Sequence, residues 1–150
     1  MSQSLSKNLI HLIFSTQHRR TFLATSIRSD LHAYISTVLK NLECPVLIIN
    51  SMDDHVHILF LLHRTLTLSA VVGKVKSSSS KWLKTQSNEL AEFAWQGGFG
   101  AFSVSESNVA VVKTYIASQE EHHRKVSFKD ELRSFLAKHE VEYDERYLWD

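Results

Sequence analysis

The chain has 150 residues, which suits one domain with a sizeable core and excludes two independent ones. Its net charge is +1, so it lacks the global basicity of proteins that coat duplex DNA, and any nucleic-acid contact must be local. A single cysteine, Cys44, cannot form an internal disulfide and fits a reducing cytosol as a buried apolar residue. The start Met1-Ser2-Gln3-Ser4-Leu5 lacks a basic segment followed by an apolar stretch, and the longest apolar run, Ile58 to Leu62, is too short for a bilayer. A soluble, cytoplasmic protein with no membrane partner is expected.

Leu9 to Phe14 is an apolar run that contains His11 and reads as a first strand. From Ser26, a fitting N-cap, apolar residues recur at Ile27, Leu31, Tyr34, Ile35, Val38, Leu39 and Leu42, a helical stripe ending before Pro45. Val46 to Asn50 and His55 to Leu62 are β-rich runs separated by Ser51-Met52-Asp53-Asp54, so an antiparallel hairpin is expected. Thr67 to Lys84 returns to helical spacing, although Ser77 to Ser80 are weak helix formers. Gly97-Gly98-Phe99-Gly100 leads into a strand, Ala101 to Val104. Ser105 or Ser107 then caps a helix from about Asn108 to His122, followed by a second helical segment from about Phe128 to His139. This order predicts one α+β domain over residues 1–150: a ferredoxin-like antiparallel sheet with helices packed on one face, plus a late helix beyond it.

Residues two apart in a strand share a face, so His55 and His57 project together, about 7 Å apart and within reach of one ion. Two imidazoles leave open coordination positions, as a catalytic metal requires. Satisfied or exposed histidines can share that spacing. Asp53 and Asp54 precede the strand and can orient imidazoles, although both are also ordinary turn formers. On the late helix Tyr115, Gln119 and His122 follow one another at helical spacing, beside the apolar stripe Val109, Val112 and Ile116. A phenol with pKa near ~10 attacks only with help from a base or a polarised electrophile, and a tyrosine beside such a stripe is otherwise a packing residue.

Gly73-Lys74 suggests a phosphate-binding loop, but Leu68 stands where that motif needs its first glycine, so no nucleotide cofactor is expected. Arg19, Arg20, Lys74, Lys76, Lys81, Lys84 and Arg124 are candidates for phosphate-backbone contacts, with Trp82 and Trp95 for base stacking. A solvated helix face fits the lysines equally well.

Three segments taken together resemble the single-tyrosine HUH transposases of small bacterial insertion sequences and their REP-associated relatives. They are Asp54-His55-Val56-His57, the run from Trp95-Gln96-Gly97-Gly98 to Val104, and Tyr115-Ile116-Ala117-Ser118-Gln119 with His122-His123; the ending Glu142 to Leu148 is similar too. The resemblance implies a ferredoxin-like domain in which His55, His57 and Gln119 hold Mg²⁺ or Mn²⁺. It also implies that Tyr115, on the helix after the sheet, attacks single-stranded DNA through a covalent 5′-phosphotyrosine and then rejoins strands. Family members recognise hairpin ends and form homodimers whose tyrosine helices can be exchanged. All four of these residues are present, so an active enzyme is expected. The alternatives are a non-mobile HUH nuclease that processes chromosomal palindromes, or a non-catalytic ferredoxin-like nucleic-acid-binding module.

Overall fold

The computed structural model of the chain describes residues 2–150. Its elements run β1 (Asn8–Ser15), α1 (Thr25–Asn41), β2 (Val46–Ser51), β3 (His55–Leu62), α2 (Leu68–Lys84), β4 (Gly100–Val104), α3 (Val109–Ala117), α4 (Gln119–His122) and α5 (Phe128–Lys138). Among the described residues the strands form one antiparallel sheet of order β2-β3-β1-β4, the ferredoxin-like arrangement expected from the sequence. No helix among them is long and apolar enough to cross a membrane.

Alternation along the two central strands divides the molecule. Leu12 and Phe14 of β1 and Val56, Ile58 and Phe60 of β3 face α1 and α2, whose Leu31, Ile35, Leu39, Val71, Val72, Val75 and Leu83 complete the larger core. The opposite face carries His11 and Ile13 of β1 and His55 and His57 of β3. Here Ile13 and Phe102 pack with Phe128, Leu132 and Leu136 of α5. Burying each of those side chains contributes roughly 1.5–3 kcal/mol, which is what holds α5 beside the histidines.

The late helices add a second layer to the expected plan, and three details of the helices are corrected. Helices cover both faces of the sheet, because the late helices carry their own apolar residues and Asn50 Nδ2 of β2 donates to the carbonyl of Ile116 in α3. The first helix begins at Thr25 after Ala24, with no side-chain cap, so Ser26 lies inside it. The segment from Asn108 to His122 is two helices. Ser118 Oγ bonds back to the carbonyl of Thr114 at 2.6 Å, and its backbone leaves the helical region (φ −99°, ψ 26°). Such back-bonding bends helices, and here it separates Tyr115 from Gln119. Ser105 precedes a single 3₁₀ turn and makes no side-chain cap.

The serine run in α2 stays helical for a structural reason. Ser79 is buried, donates to the carbonyl of Val75 at 2.6 Å and accepts the indole N–H of Trp95 at 2.9 Å. Thr67 caps the same helix by accepting from the Ala70 amide, a contact worth about 1 kcal/mol.

Candidate active site

The β2–β3 turn ends at Asp54, whose carboxylate accepts a hydrogen bond from Nδ1 of His55 at 2.7 Å. That bond places the proton on Nδ1 and turns a bare Nε2 into the site. His57, two residues on, is fully buried and bonded at both nitrogens: Nδ1 lies 2.8 Å from Nε2 of His11, and Nε2 lies 2.9 Å from Oε1 of Glu131. Burial lowers His57 to about 4, outweighing the hydrogen bond and charge of Glu131, which act to raise it. It lowers His11 to about 3, so both rings are neutral near pH 7.

Glu131 enters from α5 and is 2 % exposed. Burial opposes its charge, but hydrogen bonds from His123 and His57 outweigh that cost and hold the carboxyl far below its ordinary range. Its second oxygen accepts from the hydroxyl of Tyr115 and lies 3.1 Å from His122 Nε2 and 3.2 Å from His123 Nε2. Burial lowers the basicity of His123, but the bond and charge of Glu131 outweigh it and raise its pKa above the usual imidazole value. Tyr115 moves the other way. Burial, then the negative charge of Glu131, push its phenol well above the ordinary value.

Four donor groups therefore converge: ligand atoms of His55, His57, His123 and Glu131 all lie within 4.8 Å of one another. Three imidazoles and a carboxylate at that spacing fit a divalent ion. Gln119 is buried with its carbonyl oxygen 2.9 Å from His123 Nε2 and 3.4 Å from His55 Nε2, so it borders the same space. Sequence reasoning missed Glu131 and left His123 without a role. A signal existed for the first, since Glu131 occupies the stripe formed by Phe128, Leu132 and Leu136. Tyr115 meets the histidines of its own chain, its ring 5.8 Å from that of His57. A half-open cavity of about 340 Å³ adjoins the hydroxyl, lined by His11, Val112, Tyr115, His122, Glu131 and Phe135.

The expected phosphate-contact residues are not gathered here. Lys74, Lys81 and Lys84 are exposed on α2, in the helical layer behind the sheet. Lys76 instead ties down the glycine loop, donating to the carbonyls of Gln96 at 2.8 Å and of Gly98. Arg20 is exposed against Phe22, and Arg124 is exposed and paired with Glu121 at 3.1 Å. Arg19 lies over Trp149 with Nη1 buried and unpartnered. Trp95 is a core residue, edge-on to Phe14 and Phe93, which leaves no open face for a base. Trp82 is stacked on Tyr34.

The family described as Transposase IS200 like matches residues 4–119 of the chain. A solved Deinococcus radiodurans R1 structure, described as that of a transposase, is 20% identical with a TM-score of 0.62, covering 79% of this chain and 98% of the other. A REP-associated tyrosine transposase solved bound to a REP hairpin is 17% identical with a TM-score of 0.62, covering 84% of this chain and 76% of the other. At these identities the likeness is one of fold. No curated protein matches the sequence significantly.

Proposed function

Because the chain belongs to the IS200-like transposase family, a family of DNA-processing enzymes, we propose that it cleaves and rejoins single-stranded DNA with Tyr115 as nucleophile. The observation that carries this reading is the convergence of the Tyr115 hydroxyl with His55, His57, His123 and Glu131 at one place on the sheet. A half-buried tyrosine bonded to a buried carboxylate among histidines is an expensive way to fill space and a useful way to deliver a phenolate.

In this proposal a scissile phosphate enters beside the cavity and Tyr115 Oη attacks phosphorus, forming the 5′-phosphotyrosine bond and expelling a 3′-hydroxyl. The phenol's proton passes to His122, which lies beside both the hydroxyl and Glu131, and the departing 3′-oxygen takes up one proton from solvent to become the hydroxyl. Rejoining reverses the roles, with a 3′-hydroxyl as attacker and Tyr115 as leaving group. The phosphodiester bond energy is kept in the linkage, so no nucleotide is consumed.

A divalent ion held by His55, His57 and Glu131, with His123 or Gln119 closing the set, would neutralise charge on the phosphate and lower the cost of the phenolate. Mg²⁺ prefers oxygen ligands, so a set this rich in imidazole favours Mn²⁺ of the two ions expected. Asp54 orients His55, and the ring of Phe128, 4.7 Å away, packs beside it. Arg20, Lys74, Lys81, Lys84 and Arg124, all exposed, are the chain's candidates for holding DNA phosphates. The hairpin carried by the REP-associated neighbour supports a hairpin as the recognised DNA feature. A homodimer belongs to this proposal on family resemblance alone.

The test incubates the protein with Mn²⁺ and single-stranded DNA from the flanks of its own gene, followed by a denaturing gel. A covalent adduct that disappears in Tyr115→Phe is expected. No adduct from wild type would refute the reading and leave a DNA-binding module in its place.

A further inference from the structure

One buried histidine belongs to neither the proposed ligand set nor the nucleophile. Strand alternation puts His11 on the same face as Ile13, and Ile13 pairs directly with His57, so His11 lies on the diagonal from His57 across the β1–β3 ladder. It is 2 % exposed, its ring stands edge-on to Phe135 at 5.1 Å, and its Nε2 is 2.8 Å from His57 Nδ1. Leucine or phenylalanine would fill that space without bringing a polar ring into an apolar strand. The imidazole is there for its hydrogen bond.

We infer that His11 is a positioning residue that presents Nε2 of His57 to the cation, through a hydrogen bond whose direction reverses when the site fills. This rests on the reading of His57 as a ligand given above. His55 and His57 are held differently. His55 is held by a carboxylate, which only accepts, so its tautomer is fixed. His57 is held by another imidazole, which can donate or accept.

In the form described here His57 gives its Nε2 proton to the Glu131 carboxylate, so its Nδ1 must accept from His11 Nε2–H. Ligation through Nε2 requires the other tautomer. The Nε2 proton of His57 leaves to solvent, the shared proton moves from His11 Nε2 to His57 Nδ1, and His11 Nδ1 takes one proton from water. Protons balance and both rings stay neutral. The cavity that His11 helps to line gives water a route to it.

Two measurements test the inference. Calorimetric Mn²⁺ titration should show His11→Phe, which keeps the packing, binding roughly 10–100-fold more weakly than wild type. His11→Gln, whose amide can donate or accept near the place of Nε2, should recover most of the loss. It also serves as the informative variant if His11→Phe does not fold. In ¹⁵N-histidine NMR, a scalar coupling across the His11–His57 hydrogen bond is expected, with the proton on His11 in metal-free protein and on His57 with saturating Mg²⁺. Equal Mn²⁺ affinity in wild type and His11→Phe, absence of the coupling, or a proton that stays on one side would overturn the inference. Wild type that takes up no Mn²⁺ would instead overturn the metal reading on which it stands.

Discussion

The hydroxyl of Tyr115 donates to one oxygen of Glu131 while the other oxygen of that carboxylate lies 2.9 Å from Nε2 of His57, so a single side chain of α5 joins the nucleophile to the histidine strand. Removing one member of such a buried, charged network leaves the others unpaired. Glu131→Ala should therefore cost about 3–5 kcal/mol of folding stability in urea titrations of metal-free protein. Glu131→Gln, which retains hydrogen-bonding capacity, should cost less yet still weaken Mn²⁺ binding. A stability for Glu131→Ala within error of wild type would show the carboxylate to be energetically idle.

Acid should destabilise the metal-free protein from near neutrality downward. Burial lowers His11 to about 3 and His57 to about 4 in the folded protein, against 6.5 for a free imidazole. Between those values the unfolded chain binds more protons, so their contribution is complete above pH 6.5 and lost as pH falls toward 4. His123, whose pKa is raised, changes on the other side of 6.5 and does not offset this. Lowering the pH by two units from 6.5 should remove on the order of 4 kcal/mol, and His11→Gln should roughly halve that loss. Denaturant unfolding at both pH values measures it, and a flat profile would contradict the burial argument.

Asp54 reaches the site through its hydrogen bond to His55, and its charge also helps to raise His123. Asp54→Asn keeps the shape but loses the charge that pairs with the imidazole N–H, so Mn²⁺ affinity should fall about 10-fold or more while the melting temperature changes little. Unchanged Mn²⁺ titration would remove Asp54 from the site.

The half of the candidate site on β3 was readable because strand period is local: His55 and His57 are two apart, and Asp54 stands next to them. The Tyr115–Gln119 spacing was readable as helix, although Ser118 bends the segment between them. His11 was visible only as an odd residue in an apolar run. Its partner is 46 residues away and depends on the β1–β3 register, which no local pattern encodes. Glu131 is 74 residues from His57, and a glutamate on an amphipathic helix ordinarily faces water. Trp95 looked available to DNA for the converse reason, since its N–H partner, Ser79, lies within a run of polar residues.

The glycine loop sets where α5 can sit. A Cβ on Gly100 would stand 3.0 Å from Leu132 Cδ1 and 3.3 Å from Phe102, next to the turn of α5 that carries Glu131. Gly100→Ala should cost roughly 1–3 kcal/mol through overpacking and weaken Mn²⁺ binding as α5 shifts. Gly98→Ala, where a Cβ meets nothing within 4 Å, serves as its control. Equal stability of the two variants would refute the close approach.

Tyr115 is proposed as the nucleophile of strand transfer, and peptide mapping of the protein–DNA adduct tests that most directly. After digestion of protein and DNA, mass spectrometry should find a nucleotide 5′-phosphate on the peptide containing Tyr115 and on no other. A nucleotide on Tyr143 or Tyr147, or an adduct formed equally well by Tyr115→Phe, would contradict it.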